Sequence, residues 1–270
     1  MSPTSLVVVG TGIYAGHLTQ EARGWIEIAD KVLYCVNDPA TERLLLKLNK
    51  SSESLFCFYE EGKPRSETYR QMTERTLECL GEGGLVCAVY YGHPGIFVNP
   101  AHASIESARA AGFDAKMLPA VSSLDCLICD LGFDPASGLQ VFEATDMVLR
   151  ERFVDVRSHV VILQVSAMGE RSYSFNGWTG RYVRHLKEYL LRFFAPSHQV
   201  KFYMAPQFPL CDPKVLSATI NDIDDPKLAT NATLYIPPLE TGPIHIESMR
   251  KLGMDDLLSR LELVQESDRH

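Results

Sequence analysis

The sequence predicts an α/β fold made of two α/β subdomains with a cleft between them, and three observations lead there. Short β-rich apolar runs alternate with helical patterns through the first 118 residues, as in a parallel sheet covered by helices. After Pro119 a second set of elements begins, and its strands are spaced by hairpins or long connections, which implies a mixed sheet. Segments rich in glycine or hydroxyl groups fall at the strand ends and at the junction, and small-molecule sites form preferentially at such interfaces. The expected units are 1–118, 119–240 and a short helical tail, 241–270.

The run Leu6–Gly10 reads as a strand, 18–29 as a helix, Val32–Val36 as a strand, 41–48 as a helix and Leu55–Phe58 as a strand. A stronger helix is expected from Pro64 to about Leu80. Proline suits a first helical position, Gly81, Gly83 and Gly84 stop the helix, and Tyr69, Met72, Leu77 and Leu80 form its apolar stripe. Strand 85–91, loop 92–99, helix 100–111 and strand 115–118 complete the first unit. The second contains a helix near 123–131, strands 139–142 and 159–165, a long helix 181–194, and strands 200–203 and 233–236. Met249, Leu252, Met254, Leu257, Leu258 and Leu261 pattern the tail as an amphipathic helix that ends in polar residues 265–270.

Composition excludes several classes. With 26 Lys+Arg against 34 Asp+Glu the net charge is -8, and no basic run exceeds two residues, which argues against a nucleic-acid partner. No stretch approaches the roughly 18–20 apolar residues of a membrane span, and no signal-peptide core is present, so a soluble, cytoplasmic protein is expected. The seven cysteines are scattered through apolar segments, as reduced core thiols are. Cys126 and Cys129 form a CxxC without a second ligand pair, which reads as two thiols on a buried helix. The eight histidines offer no HxxxH or HExxH, so no metal site is expected.

Three segments carry chemistry. Gly10-Thr11-Gly12-Ile13-Tyr14-Ala15-Gly16 follows a strand and precedes a helix, where glycines let backbone approach a ligand. Its spacing is GxGxxxG, and Asp38 lies far from Gly12 for the acid of a dinucleotide site, so a tight turn with no ligand role is favoured over dinucleotide binding. Tyr90–Val98 (YYGHPGIFV) puts two aromatics, His93 and a Gly-Pro-Gly bend at the carboxyl end of a central strand, although Pro94-Gly95 is also good turn chemistry. Pro119–Ser123 (PAVSS) stands at the junction and reads equally as a helix cap.

In that order and spacing, GTGIYAGHLT, YGHPGIF and PAVSS resemble the tetrapyrrole methylase superfamily, or class III methyltransferases. Tyr34–Thr41 (YCVNDPAT), Phe58–Met72 (FYEEGKPRSETYRQM), Tyr91–Pro100 and Met117–Cys126 narrow the likeness to the borosin, omphalotin-type peptide backbone α-N-methyltransferases, over residues 5 to 240. The resemblance implies S-adenosylmethionine as cofactor, a precursor peptide as substrate and a homodimer. It assigns catalysis to Tyr59, Arg65 and Tyr69. Cofactor contacts fall by the same resemblance on Tyr91, His93, Ile96 and Ser122, and on Gln164, Ala205, Ala232 and Thr233. Ala120 departs from an expected glycine and Ala232 from a hydroxyl-bearing residue.

The chemistry rationalises the trio. An amide nitrogen is a poor nucleophile because its lone pair is delocalised into the carbonyl. Arg65 and Tyr69, four apart on a helix, share a face, where a guanidinium favours a phenolate base. Tyr59, across the Gly62 bend, is suited to donate a hydrogen bond to the oxygen on which charge accumulates. Only 32 residues follow Pro238 and they contain no Val/Ile-rich core, so the substrate is expected in trans or from a longer parent. The alternatives are another superfamily methylation, on a tetrapyrrole or the translation machinery, and a catalytically silent peptide-binding module.

Overall fold

The computed structural model describes residues 5–225, 232–239 and 244–254, with two five-stranded sheets. The first contains β1 (Ser5–Gly10), β2 (Lys31–Cys35), β3 (Ser52–Ser54), β4 (Leu85–Tyr90) and β5 (Asp114–Met117), all parallel, in the order β3-β2-β4-β1-β5. Helices α1 (Gln20–Ile28) and α2 (Pro39–Leu48) cover one face, where Ile26 and Leu45 pack on Val7, Val9, Val32 and Val89. On the other face α3 (Arg65–Gly81) and α4 (Asn99–Ala110) bring Met72, Leu80, Ala101 and Ile105 against Leu6, Val8, Leu33 and Ala88. Alternate residues of one strand thus feed two cores, which is why its central strands are continuously apolar.

β1 and β4 are neighbours whose onward helices lie on opposite faces. The switch point of the sheet therefore falls between the ends of these strands, Gly10 and Tyr90, where ligands of open α/β sheets bind. The two loops leaving this point touch, with Gly12 and Gly92 bridged by N–H···O bonds of 3.2 and 3.0 Å. Gly10 leaves no space for a side chain: a Cβ there would lie 2.1 Å from the Gly92 carbonyl oxygen and 2.7 Å from both Pro94 Cδ and Ala120 Cβ. The three motif segments are in van der Waals register around one glycine. Asp38 caps α2, accepting the Thr41 N–H at 2.8 Å.

The second sheet contains β6 (Leu139–Glu143), β7 (His159–Leu163), β8 (Gln199–Met204), β9 (Lys214–Thr219) and β10 (Thr233–Ile236), in the order β6-β7-β10-β8-β9. Only β6 and β7 are parallel, so the sheet is mixed, as expected. α6 (Ala144–Leu149) and α7 (Val183–Leu190) bury Met147, Val183 and Leu186 against Ile162, Phe202 and Leu234. α5 (Ser123–Leu131) sets Leu127 on the opposite face, against Val161, Tyr203 and Tyr235.

Several expectations need correction. Residues 55–58 form a 3-10 turn, and the strand is the polar Ser52–Ser54 before it. Helix α7 covers only the middle of the predicted 181–194. The edge strand β9 and the short α6 were not anticipated. Pro64 precedes α3 as its N-cap rather than opening it. Cys57, Cys129 and Cys211 are exposed, so the thiols are not uniformly core residues, and the CxxC does not lie on a buried helix face. The tail reading reaches α8 (Ile246–Lys251), with Met249 buried, while Leu257, Leu258, Leu261 and 265–270 lie outside the described residues.

Candidate active site

Tyr59 follows the 3-10 turn 55–58, and α3 begins six residues later, so Arg65 occupies the first turn of α3 and Tyr69 the next. All three open onto one cavity of about 260 Å³, which Tyr91 and Gln164 also line. Arg65, Tyr69 and Gln164 also line a second, larger cleft of about 950 Å³ together with Glu143, Leu149 and Arg171. The shared helix face for Arg65 and Tyr69 holds. The hydrogen-bond partners of the Arg65 guanidinium, however, come from the other half of the chain: Nη1 donates to Gln164 Oε1 at 3.1 Å and Nη2 to the Glu170 carbonyl at 2.5 Å. Gln164 itself sits just after β7 in the left-handed backbone region, with φ 60° and ψ 32°.

The walls are neutral apart from that guanidinium. Burial above all, then the neighbouring Cys35, Tyr69 and Tyr173, push the Tyr59 hydroxyl far above the usual phenol range. Burial likewise raises Tyr91 and lifts the Cys35 thiol to about 11. A protonated phenol beside a fixed cation is the donor set that negative charge on a carbonyl oxygen requires.

Four of the remaining candidate residues come together through sheet register. Leu234 pairs with Ile162 and Thr233 with Tyr203, so Gln164, Ala205 and Ala232–Thr233, far apart in sequence, emerge together at one end of the second sheet. Ile96 and Ala205 pack on one apolar cluster over α5. Ala232 is buried in the opposite core, with its side chain among α6 and α7 residues. The ring of His93 is engaged within its own loop, Nδ1 accepting the Gly95 N–H at 3.0 Å. Ser122 is the N-cap of α5 in a reciprocal capping box: Oγ donates to Asp125 Oδ2 at 2.5 Å and accepts the Asp125 N–H at 3.2 Å. Its hydroxyl is thereby engaged with Asp125 at the start of α5.

Sequence reasoning missed Cys35, Tyr173 and Trp178, which also line the cavity. The signal for the last two was three aromatics, Tyr173, Phe175 and Trp178, within six residues of a segment with no regular element. Large apolar side chains concentrated in a loop need a surface to cover. Among the described residues no group of three or more His, Cys, Asp or Glu is placed to hold a metal, and no helix is long and apolar enough to cross a membrane.

Comparison with known proteins places the family and the fold. The family model of tetrapyrrole (corrin/porphyrin) methylases matches residues 5–192. The methyltransferase/ribosomally synthesized cyclic peptide dendrothelin A precursor of Dendrothele bispora is 41% identical over 93% of this chain and 61% of its own length. The corresponding omphalotin A precursor of Omphalotus olearius is 39% identical over 96% of this chain and 62% of its own. A type I borosin cyclic peptide precursor of Coprinopsis marcescibilis is 39% identical over 93% and 67%. The chain spans about three fifths of the length of the first two of these relatives. Among solved structures, cobalt precorrin-4 methyltransferase (14% identical, TM-score 0.62, 87% of this chain and 95% of that one) shares the fold. So does uroporphyrin-III-C-methyltransferase of Thermus thermophilus (20%, 0.62, 87% and 94%). A two-sheet α/β chain whose loops meet at the switch point, and whose relatives at about 40% identity are borosin proteins, belongs to the tetrapyrrole methylase family, in its borosin methyltransferase branch.

Proposed function

We propose that this protein transfers a methyl group from S-adenosylmethionine to backbone amide nitrogens of a ribosomally made precursor peptide, working as a cytoplasmic homodimer. One observation carries the reading: Tyr59, Arg65 and Tyr69 share a single cavity, and Tyr59 is held as a phenol there by burial. The relatives' names, which join a methyltransferase to a cyclic peptide precursor, point to the same substrate class.

The residues fit the cofactor. Tyr91 from the first sheet's side and Gln164 from the second's line one cavity and offer it a hydroxyl and an amide, while the loops at Gly10 and Gly92 pack together at the end of the first sheet. Tyr91, His93, Ile96 and Ser122 would hold the cofactor from the first sheet's side, and Gln164, Ala205, Ala232 and Thr233 from the second's. When bound, S-adenosylmethionine supplies an electrophilic methyl group on sulfur.

In the proposed reaction Tyr69, as a phenolate, would take the amide proton and become a phenol while the nitrogen–carbon bond forms and the donor's carbon–sulfur bond breaks, with the sulfur leaving as a neutral thioether. Tyr59 donates its O–H to the peptide carbonyl oxygen, where negative charge accumulates, and Arg65 sets the positive potential of the cavity. Holding nitrogen and methyl carbon in near-attack geometry supplies much of the acceleration.

The test is incubation with S-adenosylmethionine and a candidate precursor peptide, with tandem mass spectrometry to place each methyl. Backbone-nitrogen methyls support the reading, and methyls on side chains, or none, would sink it. Tyr69→Phe and Arg65→Ala should abolish turnover while cofactor binding stays measurable by calorimetry, and activity retained in both refutes the assigned roles.

A further inference from the structure

We propose that residues 170–178 are a positioning strap for two of the three catalytic side chains, with Trp178 and the Glu170 carbonyl fixing Arg65 and Tyr173 fixing Tyr59. This rests on the proposed function for the roles of Arg65 and Tyr59, and on separate geometry for the strap.

The strap is bonded edge to edge with the segment that carries the trio. Gly62 N–H donates to the Tyr173 carbonyl at 2.9 Å, Tyr173 N–H to the Lys63 carbonyl at 2.9 Å, and Arg65 N–H to the Arg171 carbonyl at 3.0 Å, around an antiparallel bridge of Pro64 with Ser172. The Phe175 N–H adds a bond to Glu61 Oε2 at 2.7 Å. From this two-stranded base two aromatic rings reach the catalytic side chains. The Arg65 guanidinium carbon stands 5.3 Å over the Trp178 ring, within cation–π range. The Tyr173 ring lies 4.3 Å from that of Tyr59. Trp178 is itself anchored, its indole N–H donating to the Ser172 carbonyl at 3.3 Å.

An arginine has many rotamers, and its charge acts only where it is held. Here the guanidinium has an aromatic face, the Glu170 carbonyl and the Gln164 amide around it, which together specify one orientation. Because Gln164 also borders the proposed cofactor side, the clamp registers the guanidinium against both reactants.

The test combines kinetics with a readout independent of turnover. Trp178→Leu should lower kcat by about tenfold, since a small misplacement of a catalytic group is enough, with the peptide KM and calorimetric cofactor affinity within about twofold. Trp178→Phe, which keeps an aromatic face, should recover most of the loss. In an Arg65→Lys background Trp178→Leu should have little further effect. An equal loss in both backgrounds, or a loss carried by KM, would mean that Trp178 merely supports the fold. Tyr173→Leu should likewise lower kcat, and Tyr173→Phe should not. In the absence of substrate, the Arg65 Nε–H resonance, assigned by its loss in Arg65→Lys, should carry a ring-current shift that Trp178→Leu removes. An unshifted resonance overturns the clamp whatever the enzyme does. A wild-type protein that methylates no peptide but shows the shift sinks the functional reading and leaves the strap standing.

Discussion

Gly10→Ala tests whether the contact of the three motif loops builds the site. The added methyl would meet the Gly92 carbonyl oxygen at 2.1 Å, and ordinary contact begins at 3.4 Å, so something must move by 3.4 − 2.1 = 1.3 Å. The atoms in the way are backbone oxygen and a proline ring, with no flexible side chain to swing aside. Overpacking of this kind costs about 1–3 kcal/mol. At about 2–4 °C per kcal/mol for a chain of this size, the midpoint of thermal unfolding should fall by roughly 3–10 °C. The larger effect should be on function, because the displaced loops carry Tyr91, His93 and Ser122: cofactor affinity, measured by calorimetry at a temperature where the variant is folded, should drop by more than tenfold. Gly24→Ala is the internal control. Gly24 lies inside α1 with nothing within 4 Å of an added methyl, so alanine should stabilise by about 0.5–1 kcal/mol and leave affinity alone. A Gly10→Ala protein that melts with the wild type and binds cofactor equally well refutes the reasoning.

Two further outcomes follow from titrating groups. Glu53 on edge strand β3 takes a two-pronged bond from Arg75 (2.8 and 2.9 Å) and lies 2.6 Å from Lys31, and the Arg75 hydrogen bonds first of all lower its carboxyl from 4.5 to about 2. A depressed carboxyl stabilises the fold above its unfolded value, so this contribution should be complete at pH 6 and disappear between about pH 4.5 and 2. Discounted for its partial exposure it amounts to about 1 kcal/mol, and Glu53→Gln should remove that part of the acid dependence in urea titrations; an unchanged profile refutes it. For cysteines, iodoacetamide at pH 8 should label exposed Cys57, Cys129 and Cys211 first, with Cys35 labelling rising about tenfold per pH unit up to its value of about 11. Mass spectrometry showing Cys35 modified as fast as Cys57 at pH 8 would contradict its burial.

The central strands and helices of both halves were legible because each obeys one clear period: β1, β4 and β7 are unbroken apolar runs, and α3 carries its stripe from Tyr69 to Leu80. The misses lie at the edges. β3 is Ser-Glu-Ser and pairs on one side only, so no hydrophobic pattern marks it, and the apolar Leu55–Phe58 beside it drew the strand reading to a turn in which only Leu55 is buried. β9 is likewise an edge strand with exposed positions. At the site, the spacing of Arg65 and Tyr69 predicted a shared face, and the family resemblance supplied Tyr59. The partners of Arg65 were not readable, because Gln164 and the Glu170 carbonyl are 99 and 105 residues away, and main-chain groups carry no residue-type signal.

Those separations have a consequence for how the protein is made. Residues 59–69 leave the ribosome about a hundred residues before the strap that braces them, and a nascent chain folds its leading part first. The first parallel sheet can close while Arg65 still has no Glu170 carbonyl and no Trp178. The proposed strap can brace Arg65 and Tyr59 only once residues through 178 have been synthesised, and Ala232 and Thr233 of the second sheet follow later still, so the proposed site is assembled well after the first sheet.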